Sequence, residues 1–360
     1  MPFQRLITLL AIACASLPAA AVRADNIPVA NSLSDSDDIV DSLSGSGGKA
    51  ALVAFDSAPF PYDGAIPPDD TDGPDTDVDT PFLDAHDGDR RGHTSPRGGV
   101  YWEDQTYSDR RSLLYIPPGF DRLRPAAIVV YFHGNQAMLG RDVVDRQQVP
   151  RQLAESGLNA VLVAPQLAVD ALDSSAGGFW RPGAFARYLR EAAAKLAKLD
   201  GQGATAEQFA RMPVIMVAYS GGYLPAAWSA ELGGAGKRLK GLILLDAVYD
   251  ETDKFADWIG DHQGSAFFFS AFTASSAQGN GALQDLLMNQ GVEFKNDPPG
   301  CLKNGDVVFL DTGEGPVHND FVSHAWTDDP LTWLFDRISG YPRPGQTGDA
   351  GAADPGTCKR

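Results

Sequence analysis

The sequence predicts an α/β protein, with a mostly parallel sheet covered by helices on both faces. Apolar runs of strand length, among them Ala126 to Phe132, Gly241 to Leu245 and Ala266 to Phe272, alternate with segments of helical period. That alternation calls for crossover connections and therefore for parallel neighbours. The runs are apolar almost throughout, as strands buried on both faces are. No repeat of fixed period interrupts them, which argues against a propeller or solenoid appendage.

In chain order, Met1 to Ala24 carries Arg5, an apolar run from Leu6 to Leu17 and small residues ending in Val22-Arg23-Ala24. This is the pattern of a cleaved secretory leader, and its apolar run is too short for a membrane span. Cys14 follows Ala11-Ile12-Ala13, a poor lipidation box because no Leu stands three before the Cys. From Asp25 to about Pro96, residues 25–97 in round terms, Asp, Ser, Gly and Pro dominate, and most of the segment is expected to be mobile. Ala50 to Tyr62 is different: Leu52, Val53, Phe55, Phe60 and Tyr62 are too apolar for a free tail, so this piece is expected to dock. Asp75-Thr76-Asp77-Val78-Asp79 begins like a calcium loop, but Thr80 and His86 stand where an EF-hand needs Gly and Glu. A solvated acidic linker is the better reading.

The main domain is expected over residues 98–340, with a tail over 341–360. Val100 to Tyr107 and Arg111 to Ile116, ended by Pro117-Pro118-Gly119, read as an antiparallel hairpin opening the sheet. A buried strand from Ala126 to Phe132 leads through His133-Gly134-Asn135 to a helix near Asp142 to Ser156. Ala160 to Ala164 is the next strand, and a loop through Phe179-Trp180 precedes a helix near Gly183 to Leu199, with Leu189, Leu196 and Leu199 on one face. A strand ending in Asp246, a short helix near Lys254 to Ile259, the strand Ala266 to Phe272, a helix near Ala282 to Asn289, the strand Val307 to Leu310 and a helix from Pro330 to Ile338 complete the set.

The stretch Pro213 to Tyr223 carries the chemistry. A β-branched strand runs into Tyr219-Ser220-Gly221-Gly222 and then a helix, with Pro225 in the first turn where its missing N–H costs nothing. A reversal that sharp needs small residues two before and two after its centre, and Ala218 and Gly222 occupy those places. Such a turn holds its central residue strained and points the side chain over the sheet edge. Ala218-x-Ser220-x-Gly222 resembles the nucleophile elbow of the α/β-hydrolase family, with Ala in place of the first Gly, and the resemblance runs from about Gly98 to Ser339. It implies an α/β-hydrolase fold and a serine nucleophile, Ser220, served by a His and an acid in the chain order Ser, acid, His.

The His belongs in the loop after the last strand. There His318 follows Gly313-Glu314-Gly315-Pro316 closely, and His324, a turn or two farther on, is the alternative. The commoner family position for the acid, after Ala266 to Phe272, offers Thr273 to Gln278 and no carboxylate. The acid is therefore expected on the preceding strand, at Asp246, with Asp250 in reserve. Oxyanion donors are expected from the N–H of Gly221 and from His133-Gly134-Asn135-Gln136, where Gly134 would permit an unusual backbone conformation and Asn135 or Gln136 would present its N–H. His133 reads as a loop brace. Tyr219, Phe179 and Trp180 are candidate pocket residues.

The formal net charge of -18 disfavours nucleic acid and anionic membranes as partners. Without the leader, Cys301 and Cys358 remain, an even pair suited to one disulfide in an oxidising compartment and not a metal site. No phosphate-binding or dinucleotide fingerprint accompanies the first strands, so no organic cofactor is expected. No long insertion follows Gly241, so no large lid domain is expected. The leading expectation is a secreted or periplasmic serine esterase acting on small-molecule esters. A serine peptidase or amidase, or a non-catalytic binding protein of the same fold, are the alternatives.

Overall fold

The computed structural model describes residues 34–45, 47–68, 80–201 and 203–345. The leader with Cys14, the acidic run Asp75 to Asp79 and Cys358 lie outside them. An eight-stranded sheet organises the chain. Its strands are β1 (Lys49–Ala54), β2 (Arg111–Ile116), β3 (Ala127–Phe132), β4 (Ala160–Pro165), β5 (Val214–Tyr219), β6 (Leu239–Leu245), β7 (Phe267–Phe272) and β8 (Val307–Asp311). They lie in the order β1-β2-β4-β3-β5-β6-β7-β8. β2 is antiparallel to both β1 and β4, and every pair from β4 to β8 is parallel.

Alternation along each strand divides two cores. Ile128, Val130, Phe132, Met216, Ala218, Leu242 and Leu244 face the helices Ala184–Asp200, Tyr223–Glu231, Thr252–Asp261 and Ala277–Asn289. Ala127, Val129, Tyr131, Ile215, Val217, Ile243 and Leu245 face Leu139–Arg146, Val149–Glu155 and Pro330–Phe335. Both faces are thus dry, which is why the strands lack a polar phase. Among the described residues no helix is long and apolar enough to cross a membrane.

Three expectations are corrected. Val100 to Tyr107 does not pair with Arg111 to Ile116: only Val100–Trp102 is strand, it belongs to a separate three-stranded sheet with Ala85–Asp87 and Arg90–Thr94, and Glu103–Thr106 is helical. The partner of β2 is β1, so the sheet begins near residue 49 and not at 98. Phe55, Phe60, Tyr62 and Phe82 are buried in the main core, and Phe82 meets Tyr107 edge-on at 4.9 Å. Finally, the helix expected over Asp142 to Ser156 is broken. A π-helical piece, Leu139–Arg146, ends before Gln148 at φ 52°, and a new helix starts with Pro150 in its first turn, a residue that cannot continue a preceding helix.

Candidate active site

At the carboxyl end of β5 the chain turns so sharply that Ser220 takes φ 51°, left-handed backbone that a non-glycine residue adopts only at a cost. The turn is possible because its neighbours are small. A Cβ on Gly222 would lie 2.5 Å from the Phe132 carbonyl oxygen, and one on Gly134 would lie 2.8 Å from the Ser220 Cβ. Gly134 is therefore needed for close approach to Ser220. The unusual backbone conformation in this loop falls instead on Gln136, at φ 53°.

Ser220 Oγ lies 2.8 Å from His318 Nε2, and His318 Nδ1 lies 2.6 Å from Asp246 Oδ2. His318 opens a short 3-10 turn, His318–Asp320, after β8. Its carbonyl accepts the Tyr219 hydroxyl at 2.7 Å, and its ring stacks on Tyr219 with centroids 5.3 Å apart. His324 is exposed, 3.9 Å from Asp328, and apart from this cluster. Asp250 is exposed too, accepting the N–H of Glu251.

Asp246 is fully buried at φ 45°, with its N–H given to the Ala271 carbonyl at 2.8 Å. The loop after β7 wraps its carboxylate in donors. Thr273 gives its N–H at 3.0 Å and its hydroxyl at 2.8 Å, and the hydroxyls of Ser275 and Ser276 add two more bonds. Burial alone would raise this carboxyl's pKa. The bonds from His318, Ser276, the Thr273 N–H and Ser275 outweigh it and hold the group well below the usual carboxylate range. The loop that lacks an acid is thus the loop that stabilises one.

His133 is buried. Its Nε2 accepts the Leu167 N–H at 2.9 Å, so Nδ1 carries the proton and donates to the Gly134 carbonyl at 2.8 Å. Burial pushes its pKa down to about 4, and it ties the loop after β3 to the loop after β4. Of the expected oxyanion donors, Gln136 is excluded, because its N–H is given to the Ala171 carbonyl at 2.7 Å. Neither Asn135 nor Gly221 gives its N–H to a described turn or loop carbonyl. The Asn135 carboxamide sits against Gly221, where a Cβ would come within 1.9 Å of its Oδ1.

Phe179 and Trp180 do not line the site. Phe179 packs on Phe132, Phe185 and Tyr188, and Trp180 on Tyr62 and Phe82, all in the core. Tyr219 is at the site, placed beneath His318 and nearly buried. Tyr249 was not singled out from the sequence, yet its hydroxyl lies 3.4 Å from His318 Nδ1 and 3.2 Å from Ser275 Oγ. The one available signal was its position three residues after Asp246.

No family model matches the sequence, and no curated protein sequence matches it. Among solved structures it is similar to an S-formylglutathione hydrolase from Agrobacterium tumefaciens, at 16% identity over 69% of this chain and 95% of that one, with a TM-score of 0.39. It is similar to a feruloyl esterase module from Clostridium thermocellum complexed with sinapinate, at 16% identity over 77% and 97%, with a TM-score of 0.43. A ferulic acid esterase from the anaerobic fungus Anaeromyces mucronatus shares 12% identity over 73% and 94%, with a TM-score of 0.36. At such values the assignment rests on the sheet itself. By its strand order, its antiparallel β2 and its strained turn between β5 and a helix, the chain has the α/β-hydrolase fold.

Proposed function

We propose that this protein is a serine hydrolase that cleaves carboxylic esters of small molecules through an acyl-Ser220 intermediate. The observation that carries the reading is the line from Ser220 Oγ through His318 to Asp246, with contacts of 2.8 and 2.6 Å. A Ser hydroxyl is a weak nucleophile until an imidazole takes its proton. Here Oγ attacks the carbonyl carbon while its proton passes to His318 Nε2. Asp246 holds Nδ1–H, which fixes the tautomer and stabilises the imidazolium. The oxyanion is received by the N–H groups of Gly221 and Asn135, each worth on the order of 3 kcal/mol of barrier. His318 then protonates the leaving alcohol, and water releases the acid by the same steps in reverse order.

We infer further that the protein acts after export. The leader pattern and the disulfide at Cys301 support this, since disulfides persist in oxidising compartments. The test of the main reading is a fluorophosphonate probe on purified protein, followed by an ester and amide panel. Labelling that vanishes in Ser220→Ala, with ester turnover, is the expected result. An amide-selective profile would move the reading to a peptidase or amidase, and an unlabelled, inactive protein to a binding role.

A further inference from the structure

The strands Arg90–Thr94 and Val100–Trp102 are joined by Ser95-Pro96-Arg97-Gly98-Gly99. Gly98 and Gly99, at φ 97° and 89°, make a tight tip closed by the Ser95 N–H to the Gly99 carbonyl at 3.0 Å. The tip is tied to the loop after β4. Ser95 Oγ donates to the Leu172 carbonyl at 2.6 Å, and the Tyr101 hydroxyl accepts the Leu172 N–H at 3.2 Å. Two residues on, Ser174 donates to Asn135 Oδ1 at 3.1 Å, so the tip is braced against the wall that carries an oxyanion donor.

From this tip Arg97 reaches across to Tyr249, its guanidinium carbon 5.7 Å from the ring centroid. Tyr249 in turn meets His318 edge-on at 6.2 Å. Arg97 forms no ion pair with a described carboxylate, although the chain has an excess of them. On the loop that follows Tyr249, Asp250 accepts the Glu251 N–H, and Glu251 is held by Lys254 at 2.8 Å and by the Trp228 indole at 3.2 Å. A guanidinium resting on an aromatic face keeps its N–H edge free for a planar anion. Arg97 thus stands at the rim of the site, one ring away from His318.

We propose that Arg97 is a specificity-determining residue that binds a carboxylate carried by the ester. This rests on the esterase reading, but it is separable from it because binding can be read without turnover. In Ser220→Ala protein, binding of 4-acetoxybenzoate and of its neutral methyl ester is measured by NMR titration, with and without Arg97→Gln. The carboxylate ester should bind at least about fivefold more tightly, as a charge-assisted contact near the surface allows. Arg97→Gln should erase that preference and leave the methyl ester within about twofold, and raising KCl to about 0.5 M should weaken only the carboxylate ester. No preference, no measurable binding of the carboxylate ester, or equal weakening of both by Arg97→Gln overturns the proposal, the last assigning Arg97 a structural role. Hydrolysis by the unsubstituted protein scores the other reading. Turnover of both esters without an Arg97-dependent preference keeps the esterase and removes the anion site, whereas Arg97-dependent binding without turnover does the reverse.

Discussion

Ser220, His318 and Asp246 form a unit, and removing any member should cost most of what the unit contributes. Ser220→Ala and His318→Ala should both lower turnover of a short activated ester to near background, while His324→Ala, a change at an exposed residue outside the cluster, should stay within about twofold of native. Asp246→Asn should keep the shape but give His318 the wrong partner, lowering kcat by about 10³ to 10⁴ with little change in KM. Steady-state kinetics on the four variants decides it, and near-native turnover by Asp246→Asn would remove that residue from the chemistry. These residues were legible because the elbow is local: small residues, a strand and a helix within eleven positions. Asp246 was reached by elimination, since Thr273, Ser275 and Ser276 cannot orient an imidazole as a carboxylate can. That those three surround Asp246, and that Tyr249 approaches His318, depends on contacts between loops 25 to 70 residues apart, which no local pattern encodes.

At the scale of elements the least legible was β1. Lys49–Ala54 is short, follows a Ser/Gly-rich stretch, and pairs with a strand some sixty residues on, in register Lys49 to Ile116 and Ala54 to Arg111. The nearer apolar partner for β2 was Val100 to Tyr107, and proximity in sequence pointed to the wrong pairing. A chain beginning at Gly98 lacks β1 and the buried rings of Phe55, Phe60, Tyr62 and Phe82, and should not give soluble folded protein. Because that loss is gross, Phe82→Ala is the finer test: a fully buried ring packed on Phe60, Tyr62, Tyr107 and Trp180 should cost about 3 to 5 kcal/mol in urea unfolding. A loss below about 1 kcal/mol would mean that the segment is only loosely attached. His133, which joins two loops, carries a pH dependence. Its folded pKa of about 4 lies below its ordinary 6.5, so the unfolded chain takes up the proton first. Stability from this group is whole above about pH 6.5 and is lost as pH falls from there to about 4, by about 3 kcal/mol in total. His133→Asn should flatten that part of the stability profile, whatever its absolute stability.

For the whole molecule, the disulfide at Cys301 bears on how the last sixth of the chain is held. Cys301 precedes Leu302, which is fully buried and whose backbone bonds to Arg337 and Ser339 at 2.7 and 2.9 Å, where the final helix gives way to the tail. With Cys358 as partner, the closed loop contains β8, His318 and the last helix, so the bond ties the candidate base's own segment to the domain. A loop of that length, 358 minus 301, contributes about 2 to 4 kcal/mol through restriction of the unfolded chain. Cys301→Ser and Cys358→Ser should therefore lower the unfolding midpoint equally, and reducing agent should lower the native protein to meet them without moving either variant further. Native protein freed of its leader should show no titratable thiol. If Cys358→Ser left the midpoint unchanged and Cys301 still blocked, the partner would be another thiol, Cys14 of an uncleaved leader or a cysteine of a second molecule, which the mass of the unreduced protein distinguishes. The Cys301–Cys358 pairing would then fall, while a blocked Cys301 would still speak for an oxidising compartment.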